Sequence, residues 1–436
     1  MFKLAGRQYY SYAGRHNGNP EKLFKTITTA RLDRRAFCTL DITYIRYILV
    51  KLAYMFYNKG MDGIVRLKAL SEQMSFEPAE ECNSIGRPYL NKAERCPDAV
   101  FIHPAILPNG KKIKLLKTLL TSACERDCYY CPFRSGRDFR RATFQPEEFA
   151  RLFVMLTQKG IAEGIFLSSG VTGGGIHTQD KLLDTADILR HKLEFRGYLH
   201  LKVMPGAERA QVERSMQLAD RVSVNLEAPN TQRLAHLAPH KQFLEELLQP
   251  LRWMNEIRRT QPAYRGWQGR WPSFVTQFVA GGAGESDLEL LTATQYLYEH
   301  LGLKRTYYSR FKPIPDTPLE NQAPTPPIRE YRLYQASFLL RDYEFALEEL
   351  PFEIDGRLPV QSDPKLAWAQ RNLVEQPIEI NRANRHMLLR VPGIGRKGAD
   401  SILWARRQAM IRDVTYLRKL GILTERASYQ PVLFQT

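Results

Sequence analysis

The sequence predicts an α/β protein in which six strand–helix units form a partial, TIM-like barrel, followed by a small all-α C-terminal domain. Apolar, strand-like segments alternate with amphipathic, helix-like segments between residues 113 and 315. A proline-rich joint at 313–327 then separates this region from further helical segments. Repeated strand–helix units favour a parallel sheet with right-handed crossovers. A doubly wound sheet is the alternative arrangement.

The predicted elements alternate along the chain. Short apolar runs predict strands at 114–124, 164–170, 199–206, 221–228, 274–282 and 305–313. Helical periodicity predicts helices at 146–160, 180–197, 208–219, 240–259, 286–302 and, after the joint, 328–350. Six units over about 200 residues suit an open, partial barrel.

The chain divides into five predicted segments. They are a basic N-terminal extension at 1–60, a helical lead-in at 61–112, the barrel at 113–315, a linker with one helix at 316–375, and a C-terminal module at 376–436. The first segment is basic and aromatic and carries no motif. It is either a helical appendage or an upstream extension of a start at Met61.

Charge and cysteine usage limit the class of protein. The net charge of +17 indicates a polyanionic partner such as nucleic acid, although a basic protein without such a partner is the alternative. Three of the six cysteines lie within 124–131, and no signal peptide is recognisable, so we predict a reducing, cytoplasmic setting. The apolar stretch 42–61 contains Arg46 and Lys51, which argues against a membrane span.

The three neighbouring cysteines lie in 124-CERDCYYC-131, with C-x3-C-x2-C spacing. Three thiolates on one tight loop can bind three irons of a cubane cluster and leave the fourth iron open. Zinc is the alternative, but it commonly takes four ligands from two C-x2-C pairs, and the sequence has no second pair. The spacing therefore favours an iron–sulfur cluster.

This loop also resembles the signature of the radical S-adenosylmethionine (SAM) superfamily, with Tyr130 in the aromatic position before the last cysteine. The resemblance implies that Cys124, Cys128 and Cys131 ligate a [4Fe–4S] cluster whose open iron binds SAM. It further implies that an external donor reduces the cluster. The reduced cluster would then cleave SAM to a 5′-deoxyadenosyl radical that abstracts hydrogen from a substrate.

By the same resemblance, cofactor contacts are expected at the strand ends. The predicted contacts are Tyr130, Ser168, Ser169, Gly170, Asn225, Glu227, Gly281 and Gly284. Residues 168–170 stand where many family members carry a Gly-Gly-Glu-like motif, so hydroxyls or carbonyls would bind the SAM amino group. Residues 225 and 227 alternate on one strand and share a face toward the SAM ribose; a structural salt bridge is the alternative for Glu227. Residues 279–285 resemble the segment that packs against adenine.

Three further features have two interpretations each. His177 is either a substrate contact or a solvated loop histidine. The arginines that follow the cysteines either steer an anionic substrate or form a solvated charge run; they are Arg134, Arg137, Arg140 and Arg141. The aromatic–arginine stretch 264–273 resembles a base-stacking platform, but it precedes the fifth strand, which favours packing aromatics on the face opposite the active site.

The C-terminal residues 379–422 resemble a helix-hairpin-helix. Asn381 is the predicted cap of a helix that ends at Arg390, and 392-PGIG-395 is a tight turn before a second helix. The resemblance implies DNA-phosphate contacts by Gly393, Ile394, Gly395, Arg396 and Lys397. A module used only for protein contacts is the alternative, and a degenerate second hairpin could lie at 417–422.

The order of motifs over 65–425 resembles the family of DNA modification/repair radical SAM proteins with a C-terminal helix-hairpin-helix. The resemblance implies radical chemistry on DNA, with DNA, an electron donor and a DNA-processing protein as partners. Radical modification of tRNA or other RNA is one alternative. A cluster-bearing DNA-binding protein without catalysis is the other, although three cysteine ligands favour catalysis over a structural cluster.

Overall fold

A computed structural model of the protein describes residues 63–72, 74, 102–107 and 110–422, and the backbone of 432–433. All of these residues belong to one unit of the chain. The predicted extension at 1–60 and much of the lead-in at 61–112 lie outside the described residues, so those predictions stay as they are. Within the described part, no helix is both long and apolar enough to cross a membrane.

Seven strands form one sheet whose spatial order is the chain order. They are β1 (Ile102–Ile106), β2 (Lys112–Leu119), β3 (Gly164–Ser168), β4 (Tyr198–Lys202), β5 (Arg221–Ser223), β6 (Ser273–Ala280) and β7 (Arg305–Arg310). Strands β2 to β7 pair in parallel, as predicted, and β1 pairs with β2 in the antiparallel sense. A doubly wound sheet reverses its strand order, so the sequential order fits the curled half-barrel instead.

Strand β1 was not predicted, because its sequence IHPAI contains Pro104 and lies in the supposed helical lead-in. Proline is tolerated in an edge strand, where its missing N–H faces away from the ladder. The described part of the lead-in also contains a helix, α1 (Gly63–Glu72). The described residues of the lead-in therefore include both a helix and a strand.

Helices follow the parallel strands. They are α2 (Pro146–Gln158), α3 (Gly174–Asp187), α4 (Arg209–Leu218), α5 (Thr231–Leu237), α6 (Gln249–Thr260) and α7 (Asp287–His300). Sequence signals mark several starts: Pro146 occupies the first turn of α2, and Ser286 and Glu289 form a capping box on α7. Helix α3 begins at Gly174, six residues before the predicted start at 180. The sequence did not predict this start because the first turn is glycine-rich, and glycine disfavours helices.

Buried Arg190 accounts for Trp267 in the aromatic stretch at 264–273. Its guanidinium donates to Asp220 at 2.9 Å and to the carbonyls of Phe195 and Gly197, and it lies 4.0 Å from the ring centre of Trp267. Burial lowers the pKa of Arg190 to about 10. The contact with Trp267 favours the packing interpretation of this stretch.

The chain after the sheet forms a helical region. Its elements are α8 (Pro327–Asp342), α9 (Pro364–Asn372), β8 (Ile378–Glu379), α10 (Arg385–Leu388), α11 (Arg396–Ala405), α12 (Val414–Lys419) and β9 (Val432–Leu433). Strands β8 and β9 pair in parallel, so the all-α prediction is wrong in this detail. Asn384, not Asn381, caps α10, whereas the Asn381 side chain hydrogen-bonds to the backbone of Ile411.

The C-terminal helices have their own apolar core, which includes Leu388, Ile394 and Ile402. Arg390 joins this core to the chain segment after α8. It is 2% exposed, donates to the carbonyls of Tyr343 and Glu344 at 2.9 and 2.8 Å, and forms an ion pair with Glu349 at 2.7 Å. Because these contacts are buried, the module is fastened to the barrel rather than tethered by a free linker.

Replacing Arg390 with Met should lower the free energy of unfolding by about 3 kcal/mol, because two carbonyls and a carboxylate lose their donor. Urea unfolding followed by tryptophan fluorescence measures this change. Arg382→Met is the matched control, since Arg382 is exposed, and it should alter stability by less than about 0.5 kcal/mol. Equal stability of the two variants would contradict the fastening role of Arg390.

Candidate active site

One cavity lies at the carboxyl ends of the parallel strands, where active sites of barrel folds form. Its lining contains most of the predicted cofactor residues: Cys124, Cys128, Cys131, Tyr130, Ser168, Ser169, Gly170, Asn225 and Glu227. The structure therefore brings together residues that are up to 103 positions apart (227 − 124). Predicted contacts Gly281 and Gly284 do not line this cavity, although Val279 of the same segment does.

The first half of the cysteine loop is attached to the loop after β3. The backbone N–H of Glu125 donates to Val171 O at 2.8 Å, and the N–H of Val171 approaches the Cys124 Sγ at 3.4 Å. The Glu125 carboxylate accepts from the backbone N–H groups of Gly173 and Gly174 at 2.9 and 3.0 Å. Both glycines have left-handed backbones, which aim these donors at the carboxylate.

The next two residues of the loop are attached to the segment that precedes α6. Arg126 donates to Glu246 at 2.6 Å and to the carbonyl of His240 at 3.2 Å. Asp127 lies 2.8 Å from the imidazole of the same histidine. The residues between the first two cysteines thus attach the loop to two different segments, the loop after β3 and the segment before α6.

Gly170 allows the end of β3 to pack against the cysteine loop. A Cβ atom at this position would lie 2.2 Å from the carbonyl oxygen of Ala123, and the Gly170 N–H donates to Thr121 O at 2.7 Å. No other amino acid fits without displacing the backbone next to Cys124. The sequence pattern predicted a role for Gly170 in cofactor binding, and the structure adds this steric requirement.

Glu227 is buried beside the cysteine loop. It is 4% exposed, has φ of +65°, and its Oε1 lies 3.3 Å from the ammonium of buried Lys241. The salt bridge that was the alternative for Glu227 is therefore present. Its other oxygen, Oε2, has no close hydrogen-bond partner among the described residues, although the Tyr130 phenol lies beside the carboxylate. A buried carboxylate oxygen without a donor is costly, so this atom is available to a ligand.

The charges around Glu227 influence one another. Burial by itself would lower the pKa of Lys241, but the nearby Cys128 and Glu227 outweigh burial and raise it. Burial and the neighbouring Glu227 carboxylate raise the pKa of Tyr130, so its phenol stays protonated. The cavity thus holds a fixed cation, a carboxylate and a neutral phenol next to the cysteines.

Several cavity residues were not identified from the sequence. Gln277 on β6 is 6% exposed, lines the cavity, and its Oε1 has no partner among the described residues. Its position inside the apolar run SFVTQFVA was the available signal. Lys241 gave no signal, because its burial follows from tertiary packing. Arg310 and Lys312 also line the cavity at the end of β7.

The charged residues of the cavity lining are mainly basic. Within the described residues it contains the side chains of Arg126, Lys202, Lys241, Arg310 and Lys312 against one carboxylate, Glu227. Arg126 and Lys241 have carboxylate partners, and Arg310 lies 3.8 Å from Glu330, whose pKa is raised to about 7 by burial. Three of the five basic residues of the lining therefore lie beside a carboxylate.

Other candidates from the sequence lie outside the cavity. His177 is exposed on α3 and is absent from the cavity lining. Arg137 and Arg141 donate to backbone carbonyls, including Pro315 O and Ser122 O at 2.9 Å, and so hold the loop that follows the cysteines. The Gly281 N–H donates to Glu285, and its carbonyl accepts from Gln322 at 3.0 Å. Its role as a cofactor contact stays a prediction, as does that of Gly284.

The side chains present fit the predicted cofactors. Three thiols line one cavity, together with two buried oxygens that lack hydrogen-bond partners. Among the described side chains, no three from His, Cys, Asp and Glu converge on a single metal ion. The corners of a cubane do not require such convergence, because each thiolate binds a different iron. The donor set suits a cluster, and the unpaired oxygens suit a polar ligand beside it.

Residues 118–291 match the model of the Radical SAM superfamily. The fold is an α/β half-barrel with a cavity at the carboxyl ends of its strands, and this match identifies the matched region as a radical SAM domain. Residues 118–291 thus form a radical SAM domain, and enzymes of this family use a [4Fe–4S] cluster and SAM. No curated protein matches the sequence.

Several solved structures resemble part of the chain. Methylornithine synthase (PylB) is 13% identical, with a TM-score of 0.41 and coverage of 52% of this chain and 61% of its own. The hydrogenase maturase HydG from Carboxydothermus hydrogenoformans is 16% identical, with a TM-score of 0.41 and coverage of 52% and 51%. The methyltransferase TsrM from Kitasatospora setae is 15% identical, with a TM-score of 0.36 and coverage of 50% and 39%. The chain thus spans about two fifths to three fifths of these structures, and the assignment rests on the family match.

Gly170→Ala should reduce cluster incorporation to less than half of the wild-type iron and sulfide per chain. The added methyl would displace either the end of β3 or the backbone before Cys124. Iron and sulfide analysis after anaerobic reconstitution measures the effect. Gly63→Ala is the control, because its added methyl would meet its nearest atom at 3.7 Å. Full iron content in Gly170→Ala would show that the close approach is dispensable.

Proposed function

We propose that Cys124, Cys128 and Cys131 ligate the cluster, and that the enzyme cleaves SAM reductively to modify or repair DNA. The observation that carries this proposal is the single cavity that combines three thiols, unpaired buried oxygens and a basic lining. When bound and reduced, the cluster supplies the electron that converts SAM into methionine and a 5′-deoxyadenosyl radical. The protein residues supply binding, orientation and exclusion of water.

The buried polar side chains would bind SAM. Glu227 Oε2 and Gln277 Oε1 can each accept a hydrogen bond from an amino or hydroxyl group, because neither has a partner among the described residues. The Lys241 ammonium lies 3.3 Å from Glu227 Oε1 and so occupies the other oxygen of this carboxylate. Ser168 and Ser169 line the same cavity and can offer hydroxyl or carbonyl oxygens.

A phosphate-bearing substrate is supported by charge. The chain has a net charge of +17, and the cavity lining is basic. A polyanion would be attracted to such a surface, and phosphate contacts provide most of the affinity of nucleic-acid binding proteins. DNA is our preferred polymer because of the C-terminal hairpin.

The hairpin between α10 and α11 supports phosphate binding. Gly393 has φ of +87°, and Gly395 is the N-cap of α11 without a side-chain cap. The first backbone N–H groups of a helix have no acceptor within the helix, so they suit an anion. Lys365 donates to Ile394 O at 2.6 Å, and this hydrogen bond stabilises the turn. Of the two predicted cations, Arg396 pairs with Asp342 at 3.1 Å, and Lys397 is exposed.

SAM cleavage is the test of catalysis. After anaerobic reconstitution, the enzyme should form 5′-deoxyadenosine from SAM with dithionite, and Cys128→Ala should abolish both product and cluster absorbance. Cys96→Ala, outside the cysteine loop, is the control and should retain both. Chromatography of the quenched reaction measures the product. A wild-type cluster that forms without SAM cleavage would favour a non-catalytic cluster protein.

Lys397→Gln should weaken binding to duplex DNA by three- to tenfold and reduce the slope of log affinity against log salt by about 1. The reason is the loss of one phosphate contact beside the hairpin. Fluorescence anisotropy with a labelled 20-base-pair duplex at several salt concentrations measures both quantities. Lys192→Gln removes the same charge from an exposed site on the barrel and serves as the control.

Two outcomes would contradict the DNA proposal. Equal affinity and salt slope for the two lysine variants would remove the hairpin from phosphate binding. Tighter binding of structured RNA than of duplex DNA, with product formed only from RNA, would favour RNA modification.

A further inference from the structure

We propose that the buried ammonium of Lys241 raises the reduction potential of the cluster held by Cys124, Cys128 and Cys131. The proposal rests on cluster ligation by these cysteines, and it deepens the proposed function by naming a residue that controls electron uptake. Lys241 acts through its charge and needs no contact with SAM or substrate.

The Lys241 side chain lies in the same cavity as the cysteines. It is 9% exposed, it lines the cavity together with Cys128 and Cys131, and its Nζ lies 3.3 Å from Glu227 Oε1. Water and salt screen buried charges much less than exposed ones. The charges of this ion pair therefore act on the neighbouring sulfur atoms.

The cation of the pair acts on the cysteines more strongly than the carboxylate does. Burial raises the pKa of the Cys128 thiol, Lys241 lowers it, and Glu227 raises it by a smaller amount than the lysine lowers it. Burial also raises the pKa of the Cys131 thiol, and Lys241 again opposes this rise. The Lys241–Glu227 pair thus presents a net positive potential to two of the three sulfur atoms.

The chain on both sides of Lys241 is attached to the cysteine loop. Before the lysine, Leu237 O accepts from the backbone N–H of Tyr129 at 2.7 Å. After it, Glu246 accepts from Arg126 at 2.6 Å. The fold therefore holds the segment that carries the ammonium at a fixed position beside the loop.

A cation at this position favours the reduced cluster. Reduction adds one electron, and therefore one negative charge, to a site with three thiolate ligands. A nearby positive charge stabilises the reduced form more than the oxidised form, and charge is one of the means by which proteins set cluster potentials. With dithionite as the reductant, its radical anion loses one electron and the cluster gains it, and no cluster bond is made or broken.

Contact with an anionic ligand is the other role open to Lys241. The pairing with Glu227 favours the electrostatic role, because the ammonium is already directed at a carboxylate of the protein. The two roles differ in one measurable property. An effect on the potential is present without SAM, whereas an effect on ligand contact requires the ligand.

Removal of each charge in turn tests the proposal. Lys241→Met should shift the equilibrium of cluster reduction about tenfold toward the oxidised form, which lowers the midpoint potential by about 59 mV for one electron. Glu227→Gln should shift it about threefold in the opposite direction, because the cation then lacks an opposing charge. The double variant should lie between the two single variants. A loss of packing would shift both single variants in the same direction, so opposite signs identify an effect of charge.

Two controls accompany these variants. Lys241→Arg keeps the charge and should have a potential near that of the wild type. Lys192→Met removes a lysine from an exposed site on the barrel and should leave the potential unchanged, since solvent screens that charge. Dithionite titration of the reconstituted, SAM-free enzyme, followed by electron paramagnetic resonance at one pH, measures every potential. Iron content and circular dichroism show whether each variant folds and holds its cluster.

The possible failures are distinguishable. If the wild-type cluster does not form, or Cys128→Ala retains it, the proposed function itself fails. If the wild-type cluster forms but Lys241→Met and Glu227→Gln keep its potential, the tuning proposal is overturned. It is also overturned if Lys241→Met weakens SAM binding in equilibrium dialysis at an unchanged potential, because Lys241 then serves to bind the cofactor. If Lys241→Met does not hold a cluster, Glu227→Gln provides the same test with the opposite sign.

Discussion

The buried Glu227 carboxylate connects the parts of the candidate active site. Its backbone extends the sheet beyond the end of β5, with N–H and C=O bonded to Gln277 O at 2.9 Å and Val279 N at 2.7 Å. Its side chain meets Lys241 from the segment before α6 and lies beside Tyr130 in the cysteine loop. One residue thus joins two strands, the pre-α6 segment and the cysteine loop.

This arrangement is unfavourable for stability alone. Burial of an ion pair costs several kcal/mol per ion, and a left-handed backbone at a non-glycine residue costs about 1–3 kcal/mol. Apolar residues of similar volume would fill the same space at lower cost. A strained, buried carboxylate with one unpaired oxygen is therefore more consistent with ligand binding than with packing, and its position beside three thiols supports that conclusion.

Local patterns predicted the sheet and the cysteine loop, because both depend on short-range sequence. Apolar runs predicted the six parallel strands, and most of the predicted strand ends lie within a few residues of the observed ends. The burial of Lys241 and Gln277 depends on which strand ends meet in space, so neither residue stood out in the sequence. The predicted start of α3 was too late because the glycines of its first turn conceal helical periodicity. Strand β1 was not predicted because Pro104 argues against a strand.

The attachment of the C-terminal module limits how a DNA substrate could reach the cavity. Arg390 and the Arg396–Asp342 pair hold the hairpin against the end of α8, so a duplex bound there would occupy a fixed position relative to the barrel. A base inside a duplex is shielded by stacking, and unstacking it costs a few kcal/mol. If the hairpin binds the duplex backbone, the substrate rather than the module must rearrange. Bases that are damaged, mismatched or already unpaired would then react most readily, since their unstacking costs least.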